Sequence, residues 1–317
     1  MRRVIEVTCL ILLVTLGIVG WRWLFPELPP LHRAAREGDV KAAKRLIRNG
    51  HNVNEAIAGG FRPLHLAVLN SNEDVAQLLI AEGADVNAKT AAGETALHMV
   101  RGRTDIAGLL LDAGAAVNNC DRDGGTPLHT AAYHGYKELV ELCVAKGADC
   151  RARNNAGRQA IHEAALCGNE DVIAILLARG CDVSARDTKG RTPLHLAAGD
   201  EGFTGFTAIG FLLANGADPL AKDNVGRLPI HYAARSFGRA IEHFFGNEVD
   251  IEVKDKNGYT PLHVAAERGA ACPAKLLIAH GADVNATTNQ GETPLSLAKK
   301  KVNSDVIDVL LKAGAEE

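Results

Sequence analysis

One three-residue phrase returns nine times along the chain and restricts its fold more than any other feature. It reads Pro30-Leu31-His32, Pro63-Leu64-His65, Ala96-Leu97-His98, Pro127-Leu128-His129 and Ala160-Ile161-His162, then Pro193-Leu194-His195, Pro229-Ile230-His231, Pro261-Leu262-His263 and Pro294-Leu295-Ser296. Successive last positions lie 33, 33, 31, 33, 33, 36, 32 and 33 residues apart. Self-similarity at a period of about 33 residues marks a solenoid, in which each unit packs only on its neighbours. A chain of 317 residues built this way needs no single round core, which at that length tends to divide into domains. Such chains seldom do chemistry; they build a long surface.

Each unit carries a second signal downstream. Paired leucines (Leu78-Leu79, Leu110-Leu111, Leu176-Leu177, Leu212-Leu213, Leu276-Leu277, Leu310-Leu311) precede turns such as Gly83-Ala84-Asp85 and Gly281-Ala282-Asp283. A polar break, often with Gly38, Gly135, Gly168 or Gly269, separates phrase from leucines. The pattern predicts a helix, a tight turn, a longer helix and an extended loop. In Thr192-Pro193-Leu194-His195 the threonine suits an N-cap, and the proline the first helical position, where its missing N–H costs nothing. Leu194, Ala197 and Ala198 recur at i, i+3 and i+4, giving one narrow apolar face. Gly180 and its equivalents suit a left-handed C-terminal cap.

The chain resembles the ankyrin repeat family, whose units share this period and a Thr-Pro-Leu-His phrase. The resemblance covers about residues 29 to 315 and implies an all-α-dominated solenoid of nine helix-turn-helix units joined by β-hairpin-like loops. Three units depart from it. The third is two residues short between His98 and Leu110, the sixth carries three extra residues around Gly199–Phe206, and the seventh ends in Glu248-Val249-Asp250 instead of Gly-Ala-Asp. The seventh is therefore a soft spot. Domain limits follow: residues 1–25 as a membrane or signal segment, 26–317 as the repeat domain.

Residues 7–21 form an uncharged apolar run after Arg2 and Arg3, followed by Trp21, Arg22 and Trp23. Extended to Phe25 it approaches the ~20 residues of a single-pass membrane anchor. A cleaved secretory signal, which would export the repeats, is the alternative, although no Ala-x-Ala site follows. The side of the membrane that the repeats occupy stays open. Net charge of −3, a pI near 6.5 and 4% aromatic residues give no footprint for nucleic acid.

Eight histidines in one register invite a metal or catalytic reading. Equivalent residues of stacked helices lie about 8–10 Å apart, whereas ligands of one zinc each lie about 2 Å from it. The expected role is therefore structural: an imidazole that fixes loop backbone. No motif for phosphate, zinc or nucleophilic catalysis occurs. No enzyme activity, cofactor, metal or small-molecule substrate is expected. Cys143 falls at a core leucine position and reads as a buried thiol. Cys150 and Cys181, in adjacent loops, read as too far apart to bridge. Asn87, Asn118 and Asn285 resemble ankyrin asparagines that hydroxylases modify; the alternative is that each ties down its loop.

Positions the scaffold does not need are the candidates for binding. The ankyrin resemblance implies that these are hairpin tips, including Arg122, Asp123 and Lys189, and exposed first-helix positions on the concave face, including Tyr133, His134, Leu166 and Arg235. Arg158, Arg191 and Arg227 follow Gly157, Gly190 and Gly226 in three successive units, flanked by Tyr133 and Tyr259. Arginine and tyrosine dominate binding hot spots, so this row is a candidate grip for an acidic partner segment. Equally, each arginine pairs with its own loop, through Asn154, Asp187 or Asp223. Phe203 and Phe206 are expected to tuck against the convex side. The function expected is a membrane-tethered protein-binding scaffold or adaptor. The alternatives are a secreted or periplasmic effector or protective factor, and a regulator covering a partner enzyme's active site.

Overall fold

The computed structural model describes residues 28–199, 206–236, 240–246 and 249–316. The 7–25 segment, Phe203 and Glu248 lie outside the described residues. The described chain holds sixteen α-helices and no strand. Seven units pair a short inner helix with an outer one: α1 (Pro30–Glu37) with α2 (Val40–Arg48), α3 (Pro63–Leu69) with α4 (Glu73–Ala81), α6 (Pro127–His134) with α7 (Lys137–Ala145), α8 (Ala160–Leu166) with α9 (Glu170–Ala178), α10 (Pro193–Ala198) with α11 (Thr207–Ala214), α13 (Pro261–Arg268) with α14 (Ala271–Ala279) and α15 (Pro294–Lys301) with α16 (Ser304–Lys312). The third unit has only a 3₁₀ turn, Ala96–Met99, before α5 (Thr104–Asp112). The seventh has α12 (Pro229–Ala233) followed by a 3₁₀ turn, Ala240–Phe244. Inner helices pack on inner helices of the neighbouring units, outer on outer.

The core is a continuous strip rather than a ball. In six units two alanines follow the phrase, such as Ala131-Ala132 and Ala197-Ala198; they are buried and let adjacent inner helices approach. Leu79, Leu110, Cys143, Leu176, Leu212, Leu277 and Leu310 occupy one buried outer-helix register. Cys143 thus replaces a leucine, and burial pushes its thiol pKa up to about 11. In the seventh unit fully buried Phe244 holds this register, with buried Ala240 and Ile241 before it as Val75 and Ala76 precede Leu79.

Two kinds of glycine close each unit. Gly180 and its equivalents follow the outer helices with φ near +80°, and a methyl group on Gly180 would meet nothing within 4 Å. The hairpin glycines are tighter. Gly258 has φ +81°, and a Cβ there would lie 2.6 Å from the backbone nitrogen of Asn289 in the next tip. Consecutive tips are joined there by a single backbone bond, such as Asn289 N–H to Asn257 C=O at 3.0 Å, so the loops form a stack of turns and not a sheet. Gly180→Ala is expected to cost about 1 kcal/mol, the left-handed penalty alone. Gly258→Ala is expected to cost more, because the next tip must also move. Urea unfolding of both variants checks the order, and equal losses would contradict it.

The loops correct one expectation. Cys150 and Cys181 bring their Cα atoms to 6.1 Å and form a disulfide. Stacked loops place equivalent residues closer than packed helix axes do, inside the reach of a bridge. The insertion corrects another. Phe206 does not tuck against the convex side; it stands 47% exposed beside the start of α11.

Candidate partner-binding face

The histidine register explains why the units cannot slide. In seven units the Nδ1 atom accepts the backbone N–H of the N-cap residue three positions earlier, as Thr192 N–H does to His195 at 3.1 Å. On the other side of each ring, Nε2 lies 2.9–3.3 Å from a carbonyl of the following loop, that of Ala88 for His65 and, for the other six, the hairpin carbonyls of Gly125, Arg158, Arg191, Arg227, Tyr259 and Glu292. An amide can only donate and a carbonyl can only accept, so the ring is neutral with its proton on Nε2. His32 lacks the first bond, because its N-cap is Pro29, which has no N–H. The threonines cap less directly than expected: the Thr95, Thr126 and Thr192 hydroxyls sit 2.9 Å from the histidine Nδ1. Seven of the eight rings are thus engaged at both ends, and no cluster of three metal-ligating side chains forms among the described residues.

The loop asparagines are joints of the same kind. Asn87 accepts from Ala116 N–H at 2.8 Å and donates to Gly114 C=O at 3.0 Å, both in the next unit. Asn118 does the same with Asp149 N–H and Gly147 C=O, and Asn285 accepts from Glu316 N–H. These bonds are the loop-tying role, and they occupy the side-chain amides.

The arginine row is embedded in the scaffold. Arg191 Nε donates to Asp187 Oδ2 of its own loop at 2.8 Å. Arg227 Nε reaches forward to Asp255 Oδ2 in the next unit at 2.9 Å, while Asp223 accepts instead from Tyr232 Oη at 2.7 Å. Arg158 lies 3.6 Å from Glu163 and makes no ion pair with Asn154. The three side chains are only 15–23% exposed. Burial works against the Asp187 carboxylate, but Arg191 and the turn N–H groups hold its pKa below the ordinary value. The row therefore presents little free positive charge.

Other candidates are more open. Arg122, Asp123, Lys189 and His134 are exposed, and Tyr133 is 45% exposed. Leu166, Arg235 and Tyr259 are half-buried. Tyr133, His134 and Tyr136 form one aromatic cluster: the Tyr133 and His134 rings meet edge-on at 5.1 Å, and His134 stacks on Tyr136 at 5.4 Å. This cluster borders a cavity of about 480 Å³ walled by Phe61, Leu69, Met99 and Val100, with Glu94 and Arg101 at its polar side. The cavity exists because the third unit has a 3₁₀ turn where its neighbours have an inner helix. Burial raises the Glu94 pKa, with Asp121 adding to it; burial lowers that of His134, with Arg101 adding to it. The two-residue deficit after His98 was the sequence signal for this site.

A second cavity, about 450 Å³, lies among units seven to nine, walled by Arg227, Arg235, Glu267, Arg268 and Lys301. Arg268 and Lys301 are candidates that sequence reasoning missed, in the register next to Arg235.

A stack of helix pairs locked by neutral histidines, with its openings on the inner-helix side, defines a repeat scaffold. The family model for ankyrin repeats in three copies matches residues 26–90, 64–154, 96–187, 134–223, 161–241 and 230–317. The chain belongs to the ankyrin repeat family. One stretch of 42 residues is 69% identical to delta-latroinsectotoxin-Lt1a of Latrodectus tredecimguttatus, covering 13% of this chain and 4% of the toxin. Another of 63 residues is 38% identical to the NF-kappa-B inhibitor cactus of Drosophila melanogaster, 20% of this chain and 13% of cactus. A third of 54 residues is 44% identical to the ARF GTPase-activating protein Git of Drosophila melanogaster, 17% and 7% respectively. The chain thus spans a small part of each relative, and the likeness is one of repeat units. Ankyrin repeats make it a protein-interaction scaffold. Among the described residues no helix is long and apolar enough to cross a membrane.

Proposed function

We propose that the protein holds a protein partner along its concave face, with Tyr133, His134 and Leu166 and the third-unit cavity as the apolar part of the contact. The observation that carries this reading is a division of labour. Histidines, loop asparagines and the arginine row have their polar atoms engaged within the stack, while the Tyr133 side chain keeps 45% of its surface exposed and the third-unit cavity stays open close by. A preformed surface loses little entropy on binding, so a few such anchors suffice. Tips Arg122, Asp123 and Lys189 form the rim, and Arg158, Arg191, Arg227 and Tyr259 act through the shape of the loops they hold. The apolar run at residues 7–21, after Arg2 and Arg3, supports a tether to a membrane.

A photo-crosslinking amino acid at Tyr133, Leu166 or Arg268, compared with Glu141 and Asp308 on outer helices, tests this reading in cells. The inner positions are expected to trap one common protein that the outer positions do not. Trapping of the same protein from both faces, or none from the inner face, would contradict it.

A further inference from the structure

We infer that the cavity formed by Arg235, Arg268 and Lys301 is an anion site that takes the carboxylates of an extended acidic segment of the partner. The inference rests on the protein-binding reading above and adds the chemistry of one half of the contact.

The register of the inner-helix ends changes along the stack. Units two, four and five present Leu69, Tyr133 and Leu166; units seven to nine present Arg235, then Glu267 with Arg268, then Lys300 with Lys301. The basic end is not a reflection of overall composition, because the whole chain carries −3. Four cations wall the cavity: Arg227, Arg235, Arg268 and Lys301. Only Arg227 has a carboxylate partner, Asp255. Among the described residues Arg235, Arg268 and Lys301 form no ion pair, and Glu267 is the one acid in the wall. Arg235 rests 5.9 Å over the Tyr232 ring, which orients its guanidinium without neutralising it.

The ordinary structural use of such cations is to satisfy helix C-termini. At the end of α13, which carries Arg268, that role is already filled. Asn303 Nδ2 donates to the Ala266 and Glu267 carbonyls of α13 at 2.8 and 3.2 Å. Lys300, by contrast, is occupied with Glu292 and is left out of the site. The remaining cations belong to adjacent units, about 8–10 Å apart along the stack. An extended chain rises about 3.3 Å per residue, so carboxylates two or three positions apart reach successive units.

The test uses the full chain and a fluorescein-labelled twelve-residue peptide of alternating Glu and Ser, read by anisotropy. The wild type is expected to bind it, more weakly as salt rises, and not to bind a Lys-Ser peptide of equal length. Arg268→Glu with Lys301→Glu is expected to lose about tenfold or more in affinity. Lys41→Glu with Lys44→Glu, on exposed positions of α2, makes the same net change and is expected to stay within about twofold. Arg268→Gln with Lys301→Gln serves if circular dichroism shows the reversal variant unfolded. No binding by the wild type, or equal losses in the two double variants, overturns the anion site. Crosslinking from Tyr133 is independent of this cavity, so a positive result there with failure here removes the acidic preference and keeps the scaffold.

Discussion

Lowering the pH from 7 to 5 is expected to remove much of the stability of the stack. His65, His162 and His195 are held near pKa 4 against 6.5 in the unfolded chain, chiefly by burial, partly offset by the hairpin carbonyl each one bonds. Burial also lowers His32, His98, His231 and His263. The folded pKa lies below the unfolded one, so the unfolded chain binds more protons between pH 6.5 and about 4. Stability is therefore complete above 6.5 and drains away as the pH falls through that window. Near pH 5 each fully shifted histidine contributes a slope of about 1.4 kcal/mol per pH unit, so these three give about 4. Against a typical total of about 5–15 kcal/mol this is a large effect. Urea titrations at pH 7, 6 and 5 check it. Gln at His65, His162 and His195 keeps one acceptor and one donor but does not titrate, and is expected to flatten the slope. A wild-type stability unchanged between pH 7 and 5 would contradict the neutral, twice-bonded ring.

Asp255→Ala is expected to destabilise the protein by about 3 kcal/mol, near the lower end for breaking a buried ion pair. The Asp255 side chain is fully buried. Its Oδ1 accepts the turn N–H groups of Asn257 and Tyr259 at 2.8 and 3.0 Å, and its Oδ2 accepts from Arg227. Truncation strands all three donors at the junction of units seven and eight, beside the weakest outer element of the stack. Arg268→Ala, one unit along the same face, is expected to change stability by no more than about 0.5 kcal/mol. Thermal unfolding of the two variants separates a scaffold charge from a surface one. Similar losses would mean that both charged side chains are structural, and would remove Arg268 from the binding site.

The period made the units, the helix order, the buried alanines and the structural role of the histidines legible, because equivalent residues in a stack have equivalent neighbours. Cys143 as a buried leucine substitute followed from register alone. What register does not carry is the offset between one unit and the next. That offset decides that Arg227 bonds Asp255 rather than Asp223, and that Cys150 meets Cys181. It also decides how a deficit is absorbed. Two missing residues after His98 shorten the inner helix to a 3₁₀ turn and open a cavity, whereas unit seven, despite its weak end, keeps the buried register with Phe244. Arg268 and Lys301 read as ordinary helix-end cations in sequence; Asn303, capping the Arg268 helix from the next unit, is what frees Arg268.

The central claim is that the residues holding the stack and the residues holding the partner are different sets. Affinity for the crosslinked partner and unfolding free energy, measured on the same variants, test it most directly: Tyr133→Ala, Leu166→Ala and Arg268→Ala against His195→Ala, Asp187→Ala and Asp255→Ala. The first three are expected to lose affinity with stability nearly unchanged, and the last three to lose stability first. Affinity losses that track stability across all six would contradict the claim.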